Sequence, residues 1–396
     1  MKINFKSALQ TIVGIVAVGF IFYVVLPAIF SPSEPDATAT LVSTTTIPVL
    51  STTPLPALAT TNIPASNTPP ALVKTIPSAT IGSVVTPELN IKTTELISRD
   101  FKWEYDDSEW TWTLQIPKAL YNYYKALPRS PTSNYSIYVT HPLDDKYIEA
   151  LANKFLQAAD DKGYDAFQTV SFAAAFVQSL PYTSDLVTTG FDNYPRYPVE
   201  TLVDNGGDCE DSAILTASLI NALGYGTVLL SFDKTDDRAG HVAVGVKGGE
   251  GIYATSWTYE GDKYYYLETT SIGWEIGEIP DDFQNCLAHI YPMVPVPILT
   301  HDWITEVKGS TLELKVTVTN MGSAPAKGVY VYAGFDAGNN QCWNHQESQL
   351  FDLEVNGSVV ATLYLTPPPG EHTRLYVQIV YDGYSVDDSY SKWYDT

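Results

Sequence analysis

The sequence predicts an α+β domain, helices packed on an antiparallel sheet, followed by a smaller all-β sandwich. Three observations carry this. Apolar residues at helical spacing cluster between Ile116 and Gly224, strand-period patterns take over from Thr227, and a proline-rich hinge at Pro292 to Pro297 divides the strand-rich sequence in two. The 396 residues suffice for two domains and a tail, and a hydrophobic content of 45% can fill both cores.

At the N-terminus, Lys2 and Lys6 precede an uncharged stretch, Ser7 to Ser33. Its apolar centre, Ile12 to Phe30, has the length of roughly 20 residues that a membrane-crossing helix needs. The segment ends in Leu26-Pro27-Ala28-Ile29-Phe30-Ser31, which fits a signal-peptide cleavage site poorly. Residues 1–31 are therefore expected to be an uncleaved anchor, with the lysines on the cytoplasmic side and the rest of the chain outside. Residues 32–94 are dominated by Thr, Ser, Pro and Ala. Such a composition builds no packed core and reads as a disordered stalk.

The α+β domain is expected over residues 95–297. Phe101, Trp103 and Tyr105, then Trp110, Trp112 and Leu114, alternate with polar residues as in strands. Helices are predicted after Ile116-Pro117, from Asp144-Asp145, over Ala166 to Leu180, and from Gly206-Gly207-Asp208 to Leu223-Gly224. Strands then follow at Thr227–Phe232, His241–Lys247, Gly251–Ser256 and Lys263–Thr269. Residues 298–396 read as a sandwich, with strands at Leu312 to Val318, Val329–Phe335, Val359–Leu365 and Leu375–Val380.

Acidic residues outnumber basic ones by 45 to 22, a net charge of -23. Nucleic acid and anionic lipid surfaces would be repelled, so neither is an expected partner. Three cysteines do not make a disulfide framework. Cys286 and Cys342 flank the hinge and are either an interdomain disulfide or two free thiols. The sequons at Asn134 and Asn356 are compatible with surface positions. No zinc spacing, phosphate-binding loop or calcium loop is present, and neither a metal nor a cofactor is expected.

Chemistry is concentrated in Gly206-Gly207-Asp208-Cys209-Glu210-Asp211, just ahead of an apolar helix. A thiol in the first turn of a helix sits at the positive end of the dipole, which favours the thiolate. The preceding glycines allow close backbone approach, and the Cys209 amide suits an oxyanion hole. Glu210 and Asp211 oppose the thiolate while stabilising the helix start. A thiol nucleophile needs a base, and the base needs an orienting partner. His241 opens a predicted strand after the loop Asp233 to Gly240, and Glu268 follows Tyr264-Tyr265-Tyr266-Leu267. In an antiparallel sheet Glu268 can reach the far nitrogen of His241. The bland readings are a buried structural cysteine, a core histidine and a cross-strand glutamate.

The order helix-borne Cys, strand His, strand acid resembles the transglutaminase-like superfamily, which shares papain-type chemistry. The resemblance spans Ile97 to Pro292 and rests on three stretches. They are Tyr194-Pro195-Arg196-Tyr197-Pro198-Val199-Glu200-Thr201-Leu202 with the glycine-cysteine segment, Gly240-His241-Val242-Ala243-Val244-Gly245, and Tyr266-Leu267-Glu268-Thr269-Thr270. The chain is similar to membrane-anchored members from archaea and some bacteria. The resemblance implies Cys209 as nucleophile, His241 as base and Glu268 as acid, where many members carry Asp. Tyr182 matches an aromatic position that lines the site or supports the oxyanion. In the sandwich, Val318-Thr319-Asn320-Met321-Gly322 and Ala326 resemble the immunoglobulin-like modules of secreted prokaryotic proteins.

The expected function is therefore an extracytoplasmic thiol enzyme acting on peptide or glutamine amides, with a protein or peptide substrate at the cell envelope. The competing expectation is a catalytically silent surface-binding protein built on the same fold.

Overall fold

The computed structural model describes residues 78–85, 95–130, 132–190, 193–249, 254–338 and 341–396. The expected anchor and most of the expected stalk lie outside these residues. Among the described residues no helix is long and apolar enough to cross a membrane.

A hairpin of β2 (Leu96–Tyr105) and β3 (Ser108–Pro117) opens the α+β domain. Its inward residues meet α3 (Asp145–Lys162) and α4 (Ala166–Gln178) in an aromatic cluster. Trp103 lies 5.1 Å from Phe176 and Trp112 lies 4.7 Å from Phe155, both edge to face. Such pairs add to the apolar area buried by the rings themselves. Shorter helices complete the shell: α1 (Lys118–Ala126), α2 (Ser136–Val139), α5 (Asp185–Thr188) and α6 (Pro198–Asp204).

At the centre runs α7 (Cys209–Ala222), in which every residue from Glu210 to Ile220 is buried. A helix that is apolar around most of its circumference belongs inside a core. On one side α7 faces an antiparallel sheet of order β6-β7-β5-β4-β8. The strands are β4 (Thr227–Phe232), β5 (His241–Gly248), β6 (Ser256–Tyr259), β7 (Asp262–Leu267) and β8 (His289–Pro292). The sheet is buried on both faces. Val242 and Val244 join the helical core, while Ala243, Phe232 and Trp257 form a second cluster behind. Trp257 and the rings of the tyrosines at 264 to 266 therefore pack within the sheet's two cores.

The C-terminal region is all β. One sheet orders β1-β14-β10-β9 and the other β12-β11-β16-β17. Along β10 (Thr311–Asn320), Leu314, Val316 and Val318 point inward. They face Val331, Ala333 and Phe335 of β11 (Ala326–Gly338) and Val377 and Ile379 of β16 (Leu375–Tyr381). β14 (Ser358–Leu365) flanks β10 in register Val316↔Ala361. His301, on β9 (Leu299–Lys308), bonds Asp387 and Ser389 on β17 (Tyr384–Tyr390), each at 2.7 Å, and so ties an edge of one sheet to an edge of the other.

The structure corrects several expectations. Residues 78–85 of the expected stalk carry sheet pairing: β1 (Thr80–Ile81) pairs with Thr362 and Ala361, and Val85 with Ser358. Composition hid this because two pairs and a bridge need no apolar periodicity. Residues 251–253 of the expected strand Gly251–Ser256 lie outside the described set, and the strand is Ser256–Tyr259. Part of the expected hinge is strand β8, paired with β4. The strands β9, β12 (Gln341–Glu347), β13 (Phe351–Leu353) and β17 were not anticipated. Of the two alternatives left open for Cys286 and Cys342, the structure has the free thiols.

The sequon at Asn356 is not a free surface position. Asn356 adopts φ 61° in a tight turn. Its Nδ2 donates to Tyr123 Oη at 3.1 Å and to His141 Nε2 at 3.0 Å, joining the sandwich to the α+β domain. Burial pushes His141 down to about 3, so it stays a neutral acceptor there.

Candidate active site

Cys209 begins α7 as expected. The segment before it is pinned from both sides. Gly206 has φ 148°, and a Cβ there would overlap the Pro181 carbonyl oxygen. A Cβ on Gly207 would overlap the Asp211 side chain. Tyr182 bridges to Gly207, and the Thr183 amide donates to the Gly207 carbonyl at 2.8 Å. Only glycine permits this close a crossing of two backbones. Tyr182 is 58% exposed and stands near the sulfur. Burial, then the charge of Cys209, pushes its phenol up to about 12. It remains a protonated donor.

The thiol differs from expectation. Burial pushes its pKa far above the ordinary value, and the neighbouring Glu210 carboxylate adds to that. Cys209 Sγ donates to Glu210 Oε2 at 3.1 Å. The Val242 amide, adjacent in sequence to His241, faces the sulfur and works the other way. The helix-dipole argument identified a real contribution, but at this depth burial and an adjacent carboxylate outweigh it.

His241 and Glu268 meet as expected. Strand register explains why. β5 and β7 pair Val244 with Leu267. One step further along, Glu268 falls across from Ala243. His241, two residues before Ala243 on the same face, is its diagonal neighbour. The imidazole Nε2 lies 2.9 Å from Glu268 Oε2. The carboxylate also accepts from Tyr266 Oη at 2.8 Å, from Thr270 Oγ1 at 2.7 Å, and from the amides of Thr269 and Thr270 at 3.0 Å each. Burial alone would push Glu268 up, yet the hydrogen bonds from His241, Thr270 and Tyr266 and the charge of His241 prevail and hold it at about 2. It is an anion throughout the neutral range. Phe283 stacks on the His241 ring at 4.7 Å, and the Arg238 guanidinium lies 4.7 Å from the phenyl ring centre.

Beneath Cys209 lies a buried ion cluster. Arg196, 1% exposed, bonds Asp185 at 2.7 Å, Asp204 at 3.2 Å, Thr188 at 2.6 Å, and Asp211. The Arg196 amide also donates to Asp211 Oδ1 at 2.6 Å. Carboxylate oxygens of Asp185, Asp208 and Asp211 lie within 4.8 Å of one another, the one such grouping among the described residues. Arg196 bonds two of these three groups and supplies their positive charge, so the cluster reads as an ion-pair network. Asp208 Oδ1 is buried without a hydrogen-bond partner. Burial, then Glu210 and Asp185, pushes Asp208 up to about 8.

Sequence reasoning missed the roles of Arg196, Tyr266 and Phe283; for Glu210 it gave the opposition to the thiolate but not the hydrogen bond from the thiol. Arg196 and Tyr266 lay inside stretches already singled out, and an arginine followed by buried-looking Tyr-Pro-Val was a usable signal. Phe283 reaches His241 only through tertiary folding, and nothing local marks it.

A helix-borne thiol beside a sheet carrying a histidine-carboxylate pair defines a transglutaminase-like fold. Residues 86–276 match the family described as a transglutaminase-like domain, so this part of the chain is a transglutaminase-like domain. No curated protein matches the sequence. Among solved structures, Legionella pneumophila LapG is 16% identical, covering 43% of this chain and 86% of its own, with a TM-score of 0.26. A putative cysteine protease from Cytophaga hutchinsonii is 14% identical over 54% of this chain and 76% of its own, at 0.24. Red sea bream transglutaminase is 9% identical over 74% and 61%, at 0.19. All three scores lie under 0.5, so the family assignment rests on the sequence match and the geometry above.

Proposed function

We propose that the chain is an extracytoplasmic thiol enzyme that transfers acyl groups from amides, with Cys209 as nucleophile, His241 as base and Glu268 as the orienting acid. The observation that carries this reading is the His241-Glu268 contact, 2.9 Å long and partly buried, on a sheet whose Val242 amide faces the Cys209 sulfur. A carboxylate with this many donors is built to hold one imidazole orientation.

In this reaction Sγ attacks the carbonyl carbon of a peptide or glutamine amide as its proton passes to His241. The tetrahedral oxyanion is met by the Cys209 amide, which has no helical partner at this position, with Tyr182 alongside. His241 then protonates the departing amine and leaves a thioester on Cys209. Water resolves it to an acid, or a second amine resolves it to a new amide. The substrate is a protein or peptide at the cell envelope, and the N-terminal segment holds the enzyme there.

The alternative, a silent binding protein, draws support from the thiol's contact with Glu210 in place of a base. Casein incubated with the full-length protein, with and without a dansylated primary amine, distinguishes the two. Cleavage or label that disappears in Cys209→Ala and falls at least about tenfold in His241→Ala supports the enzyme. Equal turnover by the wild type and Cys209→Ala would sink it.

A further inference from the structure

We infer that Glu210 is a brake on the nucleophile: its carboxylate captures the Cys209 thiol proton, so the thiol cannot donate to His241 until Glu210 lets go. This rests on the reading of Cys209 and His241 given above, and goes beyond it by assigning a control element inside the same turn of helix.

The argument is geometric. A thiol has one proton, and Sγ directs it to Glu210 Oε2 at 3.1 Å. Glu210 is only 8% exposed, so water does not dilute this contact. The carboxylate also bonds its own backbone amide and the Asp208 side chain, and the groups around the pair bring mainly like charge. Asp208 and Asp211 come from the same helix start, and Tyr135 and Tyr182 from neighbouring segments. Arg196, the buried cation here, is bonded to Asp185, Asp204 and Asp211. The imidazole in turn is committed through Nε2 to Glu268.

Two consequences follow. A negative group beside the sulfur disfavours the thiolate by charge, and the hydrogen bond disfavours it again by stabilising the neutral thiol. Both lapse together when Glu210 is neutralised or rotated away, because both act through one carboxylate. The residue therefore works as a two-position device. In one position the thiol is protonated and inert. In the other the sulfur is left with the Val242 amide and the His241 side of the cleft.

The test is alkylation of Cys209 by iodoacetamide in the full-length protein, read at that residue by mass spectrometry from about pH 6 to about pH 9. Wild type, Glu210→Gln and Glu210→Ala are compared, with urea unfolding to verify that each variant is folded. Release of the brake is expected to raise the rate at neutral pH by about tenfold or more, and to move the midpoint of the rate profile down by about one pH unit or more. Glu210→Ala should exceed Glu210→Gln, since the amide keeps an acceptor but loses the charge. Unchanged or slower alkylation in either folded variant overturns the brake. If the rise survives addition of His241→Ala, the brake stands while the assignment of His241 as base falls. If His241→Ala alone abolishes reactivity but the Glu210 variants change nothing, the reverse holds.

Discussion

The two ends of the active site treat buried carboxylates in opposite ways. At the sheet end, Glu268 is 3% exposed and still sits at about 2, because hydrogen bonds from a ring, two hydroxyls and two amides converge on it. At the helix end, Asp211 is 0% exposed and is pushed up to about 7 by burial, and Asp208 to about 8. Burial is similar at both ends. What differs is the supply of donors. The sheet end has more donors than the charge requires, while the helix end places Asp208, Glu210 and Asp211 beside a thiol with Arg196 as their buried counterion. Depth alone therefore does not decide whether a carboxyl is ionised; the donors and the like charges around it do.

The largest test of this comparison is Arg196→Met. If the helix end holds real negative charge, removing its guanidinium leaves Asp185 and Asp211 buried and uncompensated. A loss of roughly 3 to 5 kcal/mol in urea unfolding at neutral pH is expected. Arg196→Lys should recover little, since an ammonium cannot span Asp185, Asp204 and Asp211 at once. A loss under about 1 kcal/mol would mean the carboxyls are already protonated at neutral pH, and the contrast with the ionised Glu268 would be complete.

A somewhat smaller effect is expected at the sheet end. Glu268 is depressed from 4.5 to about 2. Its contribution is therefore present in full above its unfolded value and is lost as pH falls through that window. The depression corresponds to about 3 kcal/mol at neutral pH. Glu268→Gln should lose most of this at pH 7, and the gap to wild type should close between about pH 5 and about pH 2. Unfolding curves at several pH values check it. A gap that is independent of pH would show that packing, and not ionisation, fixes the residue.

Much of this architecture was legible in the sequence. The helices at Ala166, Asp145 and Cys209 and the strands at Thr227 and His241 stood out because each is long, periodic and bounded by glycine, proline or acidic residues. The meeting of His241 with Glu268 was readable because strand pairing makes two distant positions diagonal neighbours. The edge strands were not readable. In β9 the exposed positions include Ile304 and Val307, and in β17 the half-buried positions are Asp387 and Ser389, so apolar residues do not mark the buried face. The state of the thiol was also beyond reach. Its position at a helix start is local, but its depth and the rotamer of Glu210 are set by the packing of α7 beneath other segments.

Asp208→Asn is the smallest and sharpest of the tests, because its sign is opposite. Burial, then Glu210 and Asp185, raises Asp208 from 3.8 to about 8. A carboxyl raised in the folded state gives stability that is complete below its unfolded value and is lost as pH climbs to about 8. Asparagine is near in shape, equally suited to precede a helix, and carries no charge to bury. The variant should match wild type near pH 4 and exceed it by about 1 kcal/mol or more near pH 8, measured by urea unfolding. The same chemical exchange, carboxylate for amide, would then destabilise at position 268 and stabilise at position 208. Two losses of equal sign at pH 8 would instead show that Asp208 is held as an anion by contacts as good as those around Glu268.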